Sequence, residues 1–512
     1  MRPVAALLLA VGAALAAFPP NVRVDHQNLP DHRCFNAAIA VGPGAPSHQP
    51  LYVVFEDDST AGLVARRSDV VFQKSTDAGA TWLSNDEVVR RGESSAIDPD
   101  VTTDSDGNIY VVYTERPSSD GNGHFYSVRS TDGGDTWSAP VKVDDNEAAV
   151  GAGRARATTD AAGNLFCAWN DDRTGRMRIW SSVSTDHGVS WSPNVCVHDD
   201  TMPSDCWHAD VFVQPGTNHY LVTATAPYQA RPGLISQHAF LYRSNDAGRS
   251  FEPSAQLDTF DEYTSQPHVV ADREHIICDY TGSTQTSGNQ NFTEARTLYT
   301  PPDTWGPCTP VTGLDTLYSS YYSGNLAISD DGRVHAALMI SYLGGNNHVY
   351  YAVSTDHGAS WSARTCVDDD TTSNKQYPDI AVDSVGYAYL VWQDERNHRE
   401  EIWFSTNRRL AVEEDPKPQA PDITLTAEPS VFSRTTTIRM SGPSLLPPLS
   451  SLSVFDASGR LVRSFALPPS PLPTPYSLSW SGRNASGARC PAGLYVVRCG
   501  TATAKVTLLP AD

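Results

Sequence analysis

The sequence predicts an all-β fold, a seven-bladed β-propeller followed by a small β-sandwich, and three observations support that prediction. An eight-residue segment of the form Ser-x-Asp-x-Gly-x-x-Trp recurs along the chain. Between its copies, short runs rich in β-branched and aromatic residues alternate with Asp/Gly turns. Beyond a proline-rich stretch near residue 415, the composition changes and a second series of short alternating runs begins.

The recurring segment marks one structural unit. Its copies return at intervals of roughly 50 to 60 residues, a period typical of propeller blades and related arrays. The copies are Ser75–Trp82, Ser130–Trp137, Ser184–Trp191, Ser244–Phe251 and Ser354–Trp361, with a degenerate copy that ends at Trp305. Asp in such a turn bonds to its own backbone and Gly adopts a positive φ. We therefore interpret the segment as a structural turn, since the copies cannot all be catalytic.

Each unit contains four predicted strands. Residues 98–113 and 377–392 both read as a strand, a tight Asp/Gly turn and a second strand. A third strand leads into the recurring turn, and a short fourth strand such as Val195–Val197 follows it. Four antiparallel strands per unit form the blade of a β-propeller.

The number of first strands predicts seven blades. They begin near Ala38, Asp100, Arg156, Asp210, His268, Asn325 and Asp379. The seventh unit has a third strand at 401–405 but neither the recurring turn nor a fourth strand. Because Pro20–Asp25 closely matches the fourth strand at Pro193–His198, we predict that residues 20–26 pair with 401–405 and close the ring, covering an open sheet edge. A six-bladed ring with one degenerate unit is the alternative.

The N-terminus has the features of a secretory signal. Arg2 precedes an apolar run from Val4 to Ala17 that is too short to span a bilayer. We expect cleavage after Ala16 or Ala17, which makes residues 1–17 a signal peptide. No later run is apolar for long enough to cross a membrane, so we expect a mature chain that is secreted or displayed at the cell surface.

The cysteine content bears on disulfide formation, and the net charge bears on which partners the protein can bind. In an exported protein, nine cysteines favour some disulfides, and we expect the pairs Cys196–Cys206 and Cys490–Cys499. The net charge is −22, with no basic stripe to offset it. Such a field repels polyphosphates, so we expect no nucleic-acid partner.

A second domain follows the propeller, which we assign to residues 18–412. Residues 413–422 form a charged, proline-rich linker. The short alternating segments beyond it are Ser451–Phe455, Leu461–Phe465, Ser477–Trp480 and Leu494–Arg498. Separated by Gly/Pro turns, they predict a small all-β sandwich over residues 423–512.

These motifs resemble two known groups. The Ser-x-Asp-x-Gly-x-x-Trp copies resemble the Asp-box of the sialidase and BNR-repeat superfamily, over residues from about 20 to 410. The tail segments 454–462, 480–487 and 492–496 resemble the Ig-like C-terminal domain of flagellar hook-cap scaffolds and of type IX secretion sorting domains. The second resemblance implies that the tail contacts export machinery or attaches the protein. Asp-boxes also occur in lectins and in proteins without catalysis, so fold alone does not assign an activity.

Resemblance to sialidases implies one possible activity, exo-acting glycoside hydrolysis with a tyrosine nucleophile. It would make Tyr322 the nucleophile and Asp57 or Asp58 the acid/base. However, the first-blade segment Asp31–Ala40 lacks the Arg-Ile-Pro motif of those enzymes. Hydrolysis is therefore the alternative to a binding function.

The binding hypothesis rests on the first strands, which line the central channel of a propeller. Equivalent positions on them are polar in six of seven units, and we predict that these residues bind a ligand: Asp100, Arg156, Asp210, His268, Asn325 and Asp379. Such groups suit sugar hydroxyls or a hard cation, and nearby aromatic residues could stack on sugars: Trp207, Tyr263, Tyr321, Tyr322 and Tyr377.

We expect an extracellular glycan or surface protein at the channel mouth. No compact His/Cys or EF-hand-like spacing is present, so we predict no metal and no cofactor. The alternative is a scaffold in which the same side chains bond to neighbouring backbone.

Overall fold

The structure is a computed structural model that divides into two compact units, Met1–Leu410 and Ala411–Asp512. It describes residues 18–26, 32–44, 48–59, 67–90, 94–117, 121–198, 205–231, 234–252, 255–258, 263–284, 290–300, 304–311, 318–342, 345–408, 424–441, 451–456, 460–467, 476–499 and 502–510. The predicted signal peptide 1–17 and linker 413–422 lie outside these residues. Over the described ranges the regular structure is β with no α-helix, and no helix there could cross a membrane.

The strands of the first unit form seven antiparallel sets within the described residues, and pairing of Val150–Gly151 with Asn122–Gly123 joins two of these sets into one sheet. One short strand, β1 (Val22–Arg23), precedes the first set. The first three sets are β2 (Cys34–Val41), β3 (Leu51–Ser59), β4 (Arg67–Ser75) and β5 (Glu87–Arg90); β6 (Ser95–Thr103), β7 (Ile109–Arg116), β8 (Asn122–Ser130) and β9 (Val141–Lys142); and β10 (Val150–Thr159), β11 (Leu165–Asp171), β12 (Arg178–Ser184) and β13 (Val195–Cys196).

The remaining four sets follow the same plan. They are β14 (Trp207–Val213), β15 (Tyr220–Arg231), β16 (Leu234–Ser244) and β17 (Ala255–Gln256); β18 (Tyr263–Ala271), β19 (His275–Thr284), β20 (Gln290–Tyr299), β21 (Thr304–Trp305) and β22 (Thr309–Pro310); β23 (Tyr318–Ile328), β24 (Val334–Tyr342), β25 (Asn347–Ser354) and β26 (Thr365–Cys366); and β27 (Lys375–Val382), β28 (Ala388–Asp394) and β29 (Glu401–Thr406). The degenerate copy of the recurring turn lies in the fifth set, where β21 and β22 both pair with β20.

The sets are arranged in a cycle through their first strands. Each first strand contacts the first strand of the next set, and β27 of the last set contacts β2 of the first. This arrangement is that of a β-propeller, in which first strands surround a central channel. The polar positions predicted from the sequence all lie on these strands, so the fold brings distant parts of the chain to one axis.

The N-terminal strand completes the last set, as the sequence predicted. Val22 pairs with Phe404 in β29, and the backbone N–H of Val24 donates to the carbonyl of Ile402 at 2.8 Å. The carboxylate of Asp25 accepts the N–H of Ile402 at 2.8 Å. Val24 is fully buried in one cluster with Phe404, so the chain start both covers a sheet edge and fills core.

The recurring turn is structural, as predicted. In the first copy, the hydroxyl of Ser75 accepts the N–H of Gly79 at 2.8 Å, and Asp77 accepts the N–H of Thr81 at 2.8 Å. The closing Trp82 packs edge-on against Phe404 of the neighbouring set, with ring centroids 5.2 Å apart. The turn therefore fixes its own backbone and joins adjacent sheets.

The predicted disulfides are wrong, because none of the nine cysteines, all of which the structure describes, forms a disulfide. Cys490 and Cys499 are separated by an extended strand, Gly493–Cys499, which spans roughly 20 Å. Cys196 and Cys206 lie beside positions three residues apart along one strand, a separation of roughly 10 Å. A disulfide needs Cα atoms within about 7 Å, and proximity in sequence does not supply it here.

The second unit contains two sheets. Its strands are β30 (Thr424–Glu428), β31 (Val431–Phe432), β32 (Thr436–Ser441), β33 (Ser451–Asp456), β34 (Leu461–Ala466), β35 (Tyr476–Trp480), β36 (Gly493–Cys499) and β37 (Ala502–Leu508). The sheet orders are β30-β32-β35 and β31-β37-β36-β33-β34. Both contribute to one core around the fully buried Trp480. Ig-like identity and an export role stay predictions.

Candidate functional site

The first strands enclose two adjoining cavities in the channel. The larger has a volume of about 510 Å³ and is lined by Arg156, Asp210, His268 and Asp379 among others. The smaller, of about 120 Å³, is lined by Asp100 and Asn325 together with three of the same residues. All six polar residues predicted from the sequence therefore converge on the channel.

Three of these residues bond to the backbone of the next set. The carboxylate of Asp100 accepts the N–H of Ala157 at 2.8 Å, and that of Asp210 accepts the N–H of Val269 at 3.0 Å. The carboxylate of Asp379 accepts the N–H of Ile39 at 2.8 Å. In each case the donor directly follows the equivalent position of the neighbouring first strand. These aspartates hold adjacent strands together around the channel.

The remaining polar residues of the ring also have protein partners. The guanidinium of Arg156 contacts Asp100 at 3.1 Å, and the amide of Asn325 donates to Asp379 at 2.6 Å. The ring of His268 lies 3.0 Å from Asp279. Burial opposes the charged form of His268, but the carboxylates of Asp279 and Asp210 outweigh that effect and raise its pKa. These six polar residues on the first strands are thus hydrogen-bonded within the protein.

A second set of side chains lies on the first strands, each two residues before one of the positions described above. The sequence pattern did not predict this set. Every first strand has a register shift at this point, and at five of these positions a non-glycine residue has a positive φ, between 49° and 57°: Asn36, Asp98, His208, Gln266 and Tyr377. Bulges and left-handed non-glycine residues are concentrated at binding and active sites. We call this set, with Arg154 at the equivalent position of the third strand, the bulge ring.

Four members of the bulge ring line the larger cavity: Arg154, His208, Gln266 and Tyr377. Two of them carry buried polar atoms that lack a hydrogen-bond partner among the described residues, Nε of Arg154 and Oε1 of Gln266. Tyr377 is 50% exposed. Buried polar groups are nearly always hydrogen-bonded in proteins, so an unsatisfied donor and acceptor on two residues of one cavity wall point to a ligand or water there.

The charges of the cavity are asymmetric. Arg154 has no carboxylate partner within the described part of the chain, and burial together with the nearby charge of Arg156 lowers its pKa. His208 is exposed on the cavity wall, where the protein packed around it and the positive charges at His268 and Arg154 lower its pKa. At neutral pH the cavity therefore presents a neutral imidazole and a guanidinium that makes no direct ion pair among the described residues, although the carboxylates of Asp98, Asp100 and Asp379 lie near enough to act on it electrostatically.

The residues predicted as catalytic lie elsewhere or outside the described side chains. Asp57 and Asp58 are at the end of β3 and do not line either channel cavity. Asp57 contacts His32 at 2.7 Å, and burial raises its pKa to about 6. The side chain of Tyr322 lies outside the described residues.

The nearby aromatic residues divide in the same way. Trp207 and Tyr377 line the larger cavity. The side chains of Tyr263 and Tyr321 lie outside the described residues, as does that of Tyr322. The arginines among the described residues of this cavity are Arg154 and the paired Arg156.

Comparison with known proteins identifies the repeat. Residues 49–390 match the family described as BNR repeat-like domain. No curated protein matches the chain. The fold is similar to that of a protein of unknown function from Dyadobacter fermentans DSM 18053, with 18% identity and a TM-score of 0.45 over 66% of this chain and 98% of the other.

Two further solved structures are enzymes that act on glycans. The Hadza microbial sialidase Hz136 shares 16% identity, with a TM-score of 0.42 over 73% of this chain and 65% of the other. An ulvan lyase of polysaccharide lyase family PL25 shares 10% identity, with a TM-score of 0.49 over 76% of this chain and 94% of the other. The family match over residues 49–390 is what identifies the first unit as a BNR repeat-like domain.

Proposed function

Because the chain belongs to the BNR repeat-like domain family, we propose that it is a seven-bladed propeller that binds an extracellular glycan carrying an anionic group. The observation that carries the proposal is the unpaired guanidinium of Arg154 in a cavity of about 510 Å³. Arg154 is half-buried, and a partly desolvated arginine without a direct carboxylate partner is stabilised when a ligand supplies the negative charge. Arginine also matches the planar geometry of a carboxylate or a sulfate ester.

The other walls suit a sugar. The orphaned Oε1 of Gln266 would accept a hydroxyl proton, and the neutral His208 offers a donor and an acceptor. Tyr377, half exposed, provides an apolar face with a polar tip. A mostly formed cavity with a few convergent polar groups is the usual form of a small-molecule site.

The setting of this site follows from the sequence. We propose that the protein is secreted or displayed at the cell surface, because an apolar signal-like segment begins the chain. The Ig-like tail would serve export or attachment. A surface protein that carries acidic sugars would reach the same cavity and is a second class of partner.

The test is calorimetric titration of the full chain with acidic oligosaccharides, each paired with its carboxyl-reduced or desulfated neutral counterpart. Removing one charged hydrogen bond costs about 1.5–3 kcal/mol, so Arg154→Gln should weaken binding of the acidic member about 10- to 100-fold. The same substitution should change the affinity for the neutral oligosaccharide of each pair only slightly. Arg249→Gln, at an exposed arginine of a recurring turn, is the matched control and should bind as wild type does. Equal affinity of Arg154→Gln and wild type for every acidic sugar would contradict the proposal.

Hydrolysis of sialosides is the alternative function, and the resemblance to sialidases is what supports it. A fluorogenic sialoside separates the two. Release of the fluorophore that is abolished by Tyr322→Phe would establish the enzyme. No release, or release that Tyr322→Phe leaves unchanged, would remove that mechanism.

A further inference from the structure

A cluster of two histidines and one aspartate lies where the fifth and sixth sets meet. Asp272 lies in the turn between β18 and β19, His275 is the first residue of β19, and His357 belongs to the recurring turn between β25 and β26. Nδ1 of His275 is 3.0 Å from Oδ1 of Asp272, and Nδ1 of His357 is 2.8 Å from Oδ2 of the same residue. One nitrogen from each ring and one carboxylate oxygen all lie within 4.8 Å of one another. None of these residues lines the channel cavities.

The orphaned atom in this cluster is Nδ1 of His357. It is buried, and its contact with Asp272 lacks hydrogen-bond geometry, so it has no hydrogen-bond partner among the described residues. A buried ring nitrogen without a partner is uncommon in folded proteins. An electron-pair acceptor beside both imidazoles and the carboxylate would satisfy it.

The same turn occurs elsewhere in the chain without these features. His187 takes the place of His357 in the third set, and its Nδ1 lies 3.6 Å from Asp104. There the hydroxyl of Tyr110 lies 3.3 Å from Nδ1 of His187 as a hydrogen-bond partner. The position that His275 fills is held by Asn108, whose amide donates to Asp104 at 2.7 Å. The Asp272 cluster and the Asp104 group are thus built alike. Only the Asp272 cluster has a second histidine, His275, and a ring nitrogen without a hydrogen-bond partner among the described residues, Nδ1 of His357.

We propose that Asp272, His275 and His357 bind a divalent transition-metal ion of the zinc type. Two imidazole nitrogens and one carboxylate oxygen are a ligand set that Zn²⁺ accepts, with bonds of about 2.0–2.2 Å. The nitrogen-to-oxygen distances of 3.0 Å to Oδ1 and 2.8 Å to Oδ2 of Asp272 are shorter than the roughly 3.3 Å that two such bonds span at a tetrahedral angle, so the ligands would open by a few tenths of an ångström around the ion. Three protein ligands leave at least one coordination position for water or for a ligand from outside.

Binding requires one local movement. The rings of His275 and His357 are stacked, with centroids 4.0 Å apart and planes inclined by 17°. Because a metal lies in the plane of each imidazole that binds it, one ring has to turn out of the stack. His357 can do so, since its side chain is 35% exposed.

The surroundings favour a cation and leave its outer side open. A cavity of about 670 Å³ adjoins the cluster, and it is lined by one further arginine, Arg273, and by three further carboxylates, those of Glu274, Asp330 and Asp331, of which Asp331 is paired with Arg333. An ion held here would join the fifth and sixth sets of the ring. It would thus stabilise an interface between blades as well as carry an exchangeable ligand.

A second group of possible ligands, His348, Cys366 and Asp368, is a weaker candidate. Its histidine–aspartate contact recurs at His124–Asp144 and His238–Asp258, which marks it as part of the repeat. The ammonium of Lys375 also lies 3.7 Å from Asp368, and that charge opposes a cation. The first cluster is therefore the one we test.

The experiment titrates the metal-free full chain with ZnCl₂ by calorimetry and with CoCl₂ by absorption spectroscopy. We expect a cobalt spectrum without a thiolate charge-transfer band, since no cysteine is among the ligands. Loss of a ligand should weaken Zn²⁺ binding at this site at least about 100-fold, in both His357→Ala and His275→Asn. These variants should fold, because Ala78 and Ala247 occupy the position of His357 in other copies of the turn and Asn108 that of His275. Far-UV circular dichroism checks this.

The matched control is His187→Ala, which should bind Zn²⁺ as wild type does. Three results would overturn the proposal. They are no Zn²⁺ binding by the wild-type chain, binding that both His357→Ala and His275→Asn leave unchanged, and a cobalt spectrum dominated by thiolate ligation.

Discussion

Val24→Asp is expected to abolish stable folding of the propeller. Val24 is fully buried between the first and last sets, and its backbone donates to Ile402. An unpaired carboxylate in an apolar interior costs several kcal/mol, against a total stability of about 5–15 kcal/mol for a typical domain. Because β1 is the fourth strand of the closing set, its displacement also exposes the edge of β29. Chemical unfolding is followed by circular dichroism and tryptophan fluorescence. We expect Val24→Asp to be largely unfolded already without denaturant, so that no unfolding midpoint can be measured.

The control for this variant is Val189→Asp. Val189 is 54% exposed in the recurring turn of the third set, so the same change there should alter stability by no more than about 0.5 kcal/mol. Unfolding of Val24→Asp at the wild-type midpoint would show that the N-terminal strand does not close the ring.

Gly134→Ala is expected to destabilise the protein by about 2–4 kcal/mol. Gly134 has a φ of +95°, and a Cβ atom added there would clash with the ring of Phe72. Phe72 is fully buried and packs against Trp137, so it cannot retreat without disturbing the contact between two sets. The change in the free energy of unfolding is measured by denaturant titration.

The adjacent residue supplies a matched control. Gly133 has a φ of +73°, and no atom lies within 4 Å of the place that a Cβ would occupy. Alanine occupies the equivalent position at Ala78 and Ala247. Gly133→Ala should therefore cost about 1 kcal/mol or less. Equal effects of the two substitutions would mean that the recurring turn does not transmit packing between sheets.

Much of the fold could be predicted because the repeat aligns parts of the chain against one another. The match between Pro20–Asp25 and Pro193–His198 was enough to predict that β1 pairs with β29. Alignment also placed Asp100, Asp210 and Asp379 at equivalent positions of three first strands. Such inferences need only the period and the two-residue alternation of a strand.

The rest depends on contacts that a sequence pattern does not contain. A bulge breaks the two-residue alternation of a strand. The strand period therefore gave no reason to expect that Arg154 and Tyr377 form a set distinct from the residues two positions later, such as Arg156 and Asp379. Residues 98–99, 266–267 and 377–378, each a polar residue before proline at the same place in three units, were the available signal for the bulge ring. The cluster around Asp272 joins turns of two different units, and its ligands are too far apart in sequence to form a spacing motif.

A crystal structure of the full chain with a bound acidic oligosaccharide tests the central claim most directly, namely that the bulge ring binds the ligand while the aspartates below it hold the blades together. We predict that the acidic group lies about 3 Å from the guanidinium of Arg154, with the sugar against Gln266 and Tyr377. The carboxylates of Asp210 and Asp379 should keep their bonds to backbone N–H groups. A sugar bound through those carboxylates, with the acidic group away from Arg154, would contradict the account.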